Sequence, residues 1–158
     1  MSMHHRIKHA DQAVSWRGDM PTLGRYTVGI AGETFLRRIK EDGQFLATVC
    51  LDCDTTYMPP RLYCEQCFAH LDQWVEVEPV GRVHTFTVLH QSLDGEPLPK
   101  PRVMAFIHLE QTDGGLVHDL DEVEPDEVYL GMMVEAVLRP KAERKGGVTD
   151  IRYFRPVE

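Results

Sequence analysis

The sequence predicts a mainly β chain, with a short helix near its start, a small metal module and a β-barrel behind it. Three observations carry that prediction. The only four cysteines stand at Cys50, Cys53, Cys64 and Cys67, in the pattern C-x2-C-x10-C-x2-C. A stretch with one apolar side runs just before them. After them, about five or six short alternating segments crowd into roughly 85 residues.

Residues 1–31 read as an N-terminal extension. Its apolar residues, Trp16, Leu23, Tyr26, Val28 and Ile30, lack helical spacing and are expected to pack on something, such as a partner subunit. His4, His5 and His9 are expected in a solvated tail, and Met1–Ala10 has no apolar core of the secretory type. Residues 32–72 read as a helix plus metal module. In 33–42, Phe35, Leu36 and Ile39 share one side, while Arg37, Arg38, Lys40 and Glu41 take the other. Gly43 supplies a C-terminal stop. Gln44–Val49 then alternates as a strand into the first cysteine turn.

Each C-x2-C turn aims two thiolates at one point, and two such turns complete a tetrahedron. That ligand set suits structural Zn2+ with no open coordination position. Iron in a four-sulfur site shares the same ligands. Disulfides are disfavoured for a chain expected to be cytoplasmic, where thiols stay reduced. The module, Cys50 to about Leu71, is too short for a core of its own, so a metal substitutes for one.

Residues 73–158 read as the barrel domain. Trp74, Val75 and Val77 open a strand that ends near Pro79. Gly81 starts a long run with Val83, Thr85, Thr87 and Leu89 on one face and His84, Phe86, Val88 and His90 on the other. Asp94–Pro101, with three prolines and a glycine, reads as turn or coil. Val103–Leu109, Leu116–Leu120, Gly131–Leu138 and Thr149–Phe154 read as strands. Glu124–Val128 reads as one helical turn, and Arg139–Gly147 as a polar, basic hairpin loop. Strands of this number and length predict a small barrel, with an OB-fold leading.

These elements resemble the DUF35 family, described as acyl-CoA-associated OB-fold proteins with a rubredoxin-like zinc ribbon. The likeness spans about residues 24–157. It is carried by Gly32-Glu33-Thr34-Phe35, Cys50-Leu51-Asp52-Cys53, Tyr57-Met58-Pro59-Pro60-Arg61, Cys64-Glu65-Gln66-Cys67 and Trp74. Gly81-Arg82-Val83, Thr85-Phe86-Thr87, Gly131-Met132, Asp150-Ile151 and Tyr153-Phe154-Arg155-Pro156 extend it. The resemblance implies a non-catalytic small subunit beside a thiolase-superfamily enzyme, a hydratase or an aldolase acting on acyl-CoA thioesters. One departure stands out: many zinc knuckles place Gly after the second cysteine, where this chain has Asp54 and Phe68. Phe tolerates a left-handed backbone poorly, so a less regular second turn is expected.

The residues agree with a helper role. If all four sulfurs hold metal, none remains as an acyl-accepting nucleophile. Three serines occur, none in a G-x-S-x-G elbow, and no P-loop or G-x-G-x-x-G is present. Coenzyme A carries phosphates that want Arg or Lys pairs beside an apolar slot. The candidates are Lys100 with Arg102, Arg139 with Lys141, Arg144 and Lys145, and Arg61 within the metal module. His118, before Asp119 and Asp121, could have its ring oriented by a carboxylate. His84, His90 and His108 could join it on the barrel surface.

The chain has 158 residues, 42% hydrophobic and 27% charged, an ordinary globular balance. Lys and Arg number 17 against 25 Asp and Glu, a formal charge of −8. That charge disfavours the alternative function, single-stranded nucleic-acid binding, which wants exposed aromatics among Lys and Arg. Asp119–Glu127 carries six carboxylates and reads as a solvated loop or a docking surface for a basic partner. No apolar run approaches the ~20 residues of a membrane helix.

Overall fold

The computed structural model describes residues 27–92 and 94–157. The expectations for His4, His5, His9, Trp16, Leu23 and Tyr26 lie outside the described residues.

Helix α1 spans Gly29–Asp42 and starts four residues earlier than the predicted 33–42. The reason is spacing: Ala31, Phe35 and Ile39 recur every fourth residue and are all buried. Gly43 ends the helix at φ 75°, and its N–H reaches the carbonyls of Arg38 and Ile39 at 3.1 and 3.0 Å. This is a left-handed stop of the kind glycine makes easily.

Strands β1 (Phe45–Cys50), β2 (Thr55–Tyr57) and β3 (Gln73–Val77) form an antiparallel sheet in the order β2-β1-β3. Central β1 is buried at Phe45, Leu46, Ala47, Thr48 and Cys50. Phe35 of α1 meets the Phe45 ring edge-on at 5.7 Å. The opening strand of the sequence-predicted barrel region, β3, thus pairs with the strand that leads into the cysteines.

Strands β4 (Val80–Gln91), β5 (Pro97–Leu109), β6 (Gly115–Leu120), β7 (Met133–Leu138) and β8 (Ile151–Pro156) close a barrel in the order β4-β5-β6-β8-β7, with β7 returning to β4. β6 and β8 pair in parallel at Leu120 and Phe154, while the other pairs are antiparallel. This five-stranded closed barrel behind a helix and a four-cysteine ribbon is the OB-type architecture expected. Val83, Ile107, Leu109, Val134, Ile151 and Phe154 fill its centre, each no more than 1% exposed.

Two local readings need correction. Strict alternation along β4 put Val83 on the face opposite Phe86 and Val88. The register with β5 runs Val83 to Ile107 and then Thr85 to Phe106, so His84 is an extra residue, a bulge. The bulge inverts the alternation, so Val83 and then Phe86 and Val88 all pack against the core. The second correction concerns Pro97–Pro101, read as turn or coil. β5 begins at Pro97, and Gln91 pairs with Pro97 beyond a shift at Leu89. Prolines lack the N–H of a central strand but are compatible with such a strand end. The Arg139–Gly147 loop holds a 3-10 turn at Lys141–Glu143, and another follows at Val148–Asp150, delaying β8 to Ile151.

Candidate metal centre and basic groups

The centre is assembled by two turns and one strand. Cys50 ends β1 and Cys53 lies in the turn to β2; Cys64 and Cys67 sit in the second turn, between β2 and β3. Asp54 and Phe68, the residues after each second cysteine, have φ 51° and 61°. Both turns therefore take the left-handed residue a knuckle requires. The expectation of an irregular second turn does not hold: Phe68 adopts the conformation despite its Cβ.

All four Sγ atoms lie within 4.8 Å of one another. Cys50 and Cys67 sulfurs are 3.6 Å apart, and Cys53 and Cys64 sulfurs 3.8 Å. A Zn–S bond of about 2.3 Å implies tetrahedral sulfur edges of about 3.8 Å. The donor set, its number and its spacing thus fit structural zinc, and zinc would supply the cross-link this small module lacks.

The sulfurs are unequal. Cys50 and Cys64 are buried, Cys53 is half-buried and Cys67 is exposed. The Tyr57 hydroxyl lies 3.2 Å from Cys64 Sγ and accepts the Glu65 N–H at 3.2 Å. A metal-bound thiolate can only accept, so the hydroxyl donates to Cys64. This bond, aided by the Cys67 and Gln66 backbone N–H groups, brings Cys64 down to about 6 against its burial. The same bond first, then burial, pushes Tyr57 up to about 12. Sharing a proton with Cys67, then burial, pushes Cys53 up to about 12. Tyr57 is the functional residue that the cysteine spacing missed: its placement beside Cys64 depends on β2 pairing with β1.

Arg61 stands on the exposed surface of the module. Its guanidinium lies over the Tyr57 ring at 5.5 Å and pairs with Glu65. Its backbone N–H and carbonyl both bond the buried Thr48 hydroxyl, at 2.9 and 3.0 Å. The ribbon is also fastened to the barrel through the β5–β6 turn. Asp113 N–H donates to the Thr56 carbonyl, the Thr56 N–H donates to the Asp113 carboxylate, both at 2.8 Å, and Gly115 N–H reaches the Met58 carbonyl at 2.9 Å. Gly114 must be glycine here, because a Cβ would run into the Met58 backbone.

The remaining basic candidates fall into two places. Lys100 and Arg102 share a pocket of ≈ 250 Å³ with Asp119, Asp121, Arg152 and Tyr153. Arg102 grips the Asp119 carboxylate with both oxygens at 2.7 and 2.8 Å, and Lys100 pairs with Glu124 at 3.4 Å. Arg152, which the sequence reading passed over, stacks on Tyr153 at 5.3 Å. Its signal was the exposed position in the alternating strand Ile151–Phe154. Arg139 and Lys141 lie in the β7–β8 loop, and Arg139 donates to the Thr149 carbonyl at 2.8 Å. Arg144 donates to the Arg139 carbonyl at 2.7 Å and to the Ile39 carbonyl at 3.1 Å, stitching this loop to the end of α1.

His118 faces the barrel interior side of β6, opposite Ala105, with its ring 6.0 Å from Phe154. Its Nδ1 accepts the Asp119 N–H at 2.9 Å, while the Asp119 carboxylate belongs to Arg102. Backbone, not carboxylate, holds that ring. His84 and His108 line one outer hollow with Leu130 and Gly131; His90 lines another. The four histidines do not converge. The acidic stretch is largely engaged: Glu122 accepts the Tyr153 hydroxyl at 2.5 Å and faces Arg155 at 3.6 Å. Among the described residues no helix is long and apolar enough to cross a membrane.

Comparison with known proteins agrees with this geometry. Residues 37–72 match the family model of the ChsH2 rubredoxin-like zinc ribbon domain, and residues 74–139 that of the ChsH2 C-terminal OB-fold domain. A DUF35 domain-containing scaffold protein of Methanocaldococcus jannaschii is 32% identical over 125 residues, covering 77% of this chain and 88% of that protein. Another, from Methanothermobacter thermautotrophicus, is 26% identical over 124 residues, covering 76% and 92%. Among solved structures, a DUF35-family protein of unknown function from Sulfolobus solfataricus aligns with a TM-score of 0.61 at 23% identity, over 81% of this chain and 84% of that one. The Ltp2-ChsH2(DUF35) aldolase aligns with a TM-score of 0.61 at 24% identity, over 84% and 98%. At those identities the two structures speak for the fold alone.

Proposed function

The chain belongs to the DUF35 family, and from that premise we propose that it is a non-catalytic accessory subunit of an acyl-CoA-processing complex. Its partner is a thiolase-superfamily enzyme, and the subunit helps to bind or enclose the CoA thioester. The observation that carries this reading is the closed four-sulfur centre. It engages every cysteine of the chain in a site with no open position, leaving shape and surface as what the chain contributes. The curated relatives are named scaffold proteins, and a solved assembly of this fold is named an aldolase.

Within that reading, the pocket of Lys100, Arg152 and Tyr153 is the stronger candidate for a CoA phosphate, Arg102 there being held by Asp119. Arg152 is stacked on an aromatic ring, and Lys100 is held only by a long, exposed pair with Glu124. The Arg139–Lys141 loop supports it less, since Arg139 and Arg144 are spent on backbone carbonyls. Arg61 and His118 remain proposals of lower rank, each already engaged locally.

The test has two parts. The chain is co-expressed with a thiolase-type enzyme of the same organism, and a complex that survives gel filtration is the expected result. Calorimetry with an acyl-CoA then compares the free chain with the complex. No heat in either setting removes CoA contact from the reading; no complex removes the partner. Retention on single-stranded DNA at physiological salt would instead favour a nucleic-acid role.

A further inference from the structure

We propose that Leu51 and Phe68 form the contact tip by which the ribbon docks on its partner protein, which offers an apolar socket rimmed by Lys and Arg. The inference rests on the accessory-subunit reading and names the surface that reading needs. Leu51 is 76% and Phe68 78% exposed, and neither belongs to an apolar cluster among the described residues. Each directly follows one cysteine of the Cys50–Cys67 pair, whose sulfurs are 3.6 Å apart. Both residues therefore adjoin the Cys50–Cys67 side of the centre, where Cys67 is the exposed sulfur.

Phe68 holds φ 61°, a left-handed conformation that strains a bulky residue and that Gly or Asn would adopt freely. The cysteine turn sets that backbone, with the Phe68 N–H on the Cys64 carbonyl at 3.0 Å, but among the described residues the ring touches neither core. The turn asks for a left-handed backbone and not for a phenyl ring, and a ring 78% exposed there is what a contact with another protein would use. The surroundings say what kind. Exposed Asp52 and Asp54 flank the tip. Four thiolates around one Zn2+ add net negative charge beneath it. Such a base repels acidic surfaces, including a second copy of this chain at −8, and it repels nucleic acid. An apolar socket with a basic rim is its complement.

The experiment uses the full chain, loaded with zinc, and a thiolase-type enzyme of the same organism. Affinity is measured for the wild type, Phe68→Asn and Leu51→Ser. Asn keeps the left-handed turn, so zinc content and Tm are expected to stay. Each variant is expected to weaken binding on the order of tenfold or more, as buried interface anchors do. In a second measurement, zinc transfer to a chromogenic chelator is followed with the wild-type chain, free and saturated with the enzyme. Covering the Cys67 edge is expected to slow transfer several-fold. Undiminished affinity in both variants, or transfer indifferent to the enzyme, overturns the tip while leaving the accessory-subunit reading intact. A wild-type chain that does not bind the enzyme overturns both.

Discussion

From Cys50 to Leu71 the ribbon gathers one small buried cluster of its own: Cys50, Tyr57, Cys64 and Leu71, with Cys53 beside it. The barrel, by contrast, shares a single apolar cluster with α1 and the base of β1, running from Phe35 through Ile107 to Phe154. The first is too small to offset the chain entropy of some 20 residues, each costing about 1–2 kcal/mol of backbone freedom. The second has the size to do so. A metal and an apolar core are thus alternative answers to one problem, set side by side in one chain, and each should fail without taking the other's signature with it.

The largest effect should come from Cys64→Ser, which removes the most enclosed and best-supported sulfur. Zinc by elemental analysis should fall from one per chain to none, and amide protection should vanish across 50–71 while 103–109 stays protected. If both regions unfold together, the division drawn here is wrong. Phe154→Ala is the converse. It empties the barrel centre, where Phe154 is 0% exposed, and should cost about 3–5 kcal/mol by denaturant titration. Folded material should still carry one zinc.

Asp150→Asn probes a polar weak point of the barrel. Asp150 is buried, and burial alone would raise its carboxyl. The Lys145, Gly146 and Gly147 N–H groups and the Arg144 charge outweigh that and hold it below the ordinary value. A depressed carboxyl contributes stability that is full above the unfolded pKa, about 3.9, and is lost as pH falls through the folded value. Asn should therefore cost about 2 kcal/mol near neutrality. The gap to wild type should close only below about pH 4, read from Tm against pH. A gap unchanged down to pH 2 would contradict the assignment. The smallest change is Tyr57→Phe, which keeps the ring and the Arg61 stack but removes the donor to Cys64. Zinc transfer to a chelator should quicken by about tenfold, with Tm of the barrel unmoved. An unaltered rate would mean the hydroxyl is incidental.

The same two regions differ in how well they are written in the chain. The ribbon could be read because its ligands are local: C-x2-C imposes the turn, and spacing alone names all four sulfurs. The barrel's existence could be read from alternation, but its faces could not. One inserted residue, His84, reverses the parity of β4, and nothing in a two-residue period announces it. Pro97–Pro101 resembled coil because proline is a breaker, yet a strand end tolerates it. The basic loop looked like a phosphate site because charge is visible in sequence and its use is not. Arg144 reaches Ile39 across 105 residues, a contact only the closed barrel creates. His118 beside Asp119 suggested a carboxylate partner, but neighbouring strand residues point to opposite faces, and Asp119 turns out to Arg102.

The paired bonds between Thr56 and Asp113, with Met58 seated on Gly114 and Gly115, have a mechanical consequence. They make the metal-bearing arm a bracket instead of a tether. A load applied at its end is delivered to the corner of two barrel strands, and the span between whatever it grips and the barrel is set by these hydrogen bonds instead of by a slack linker.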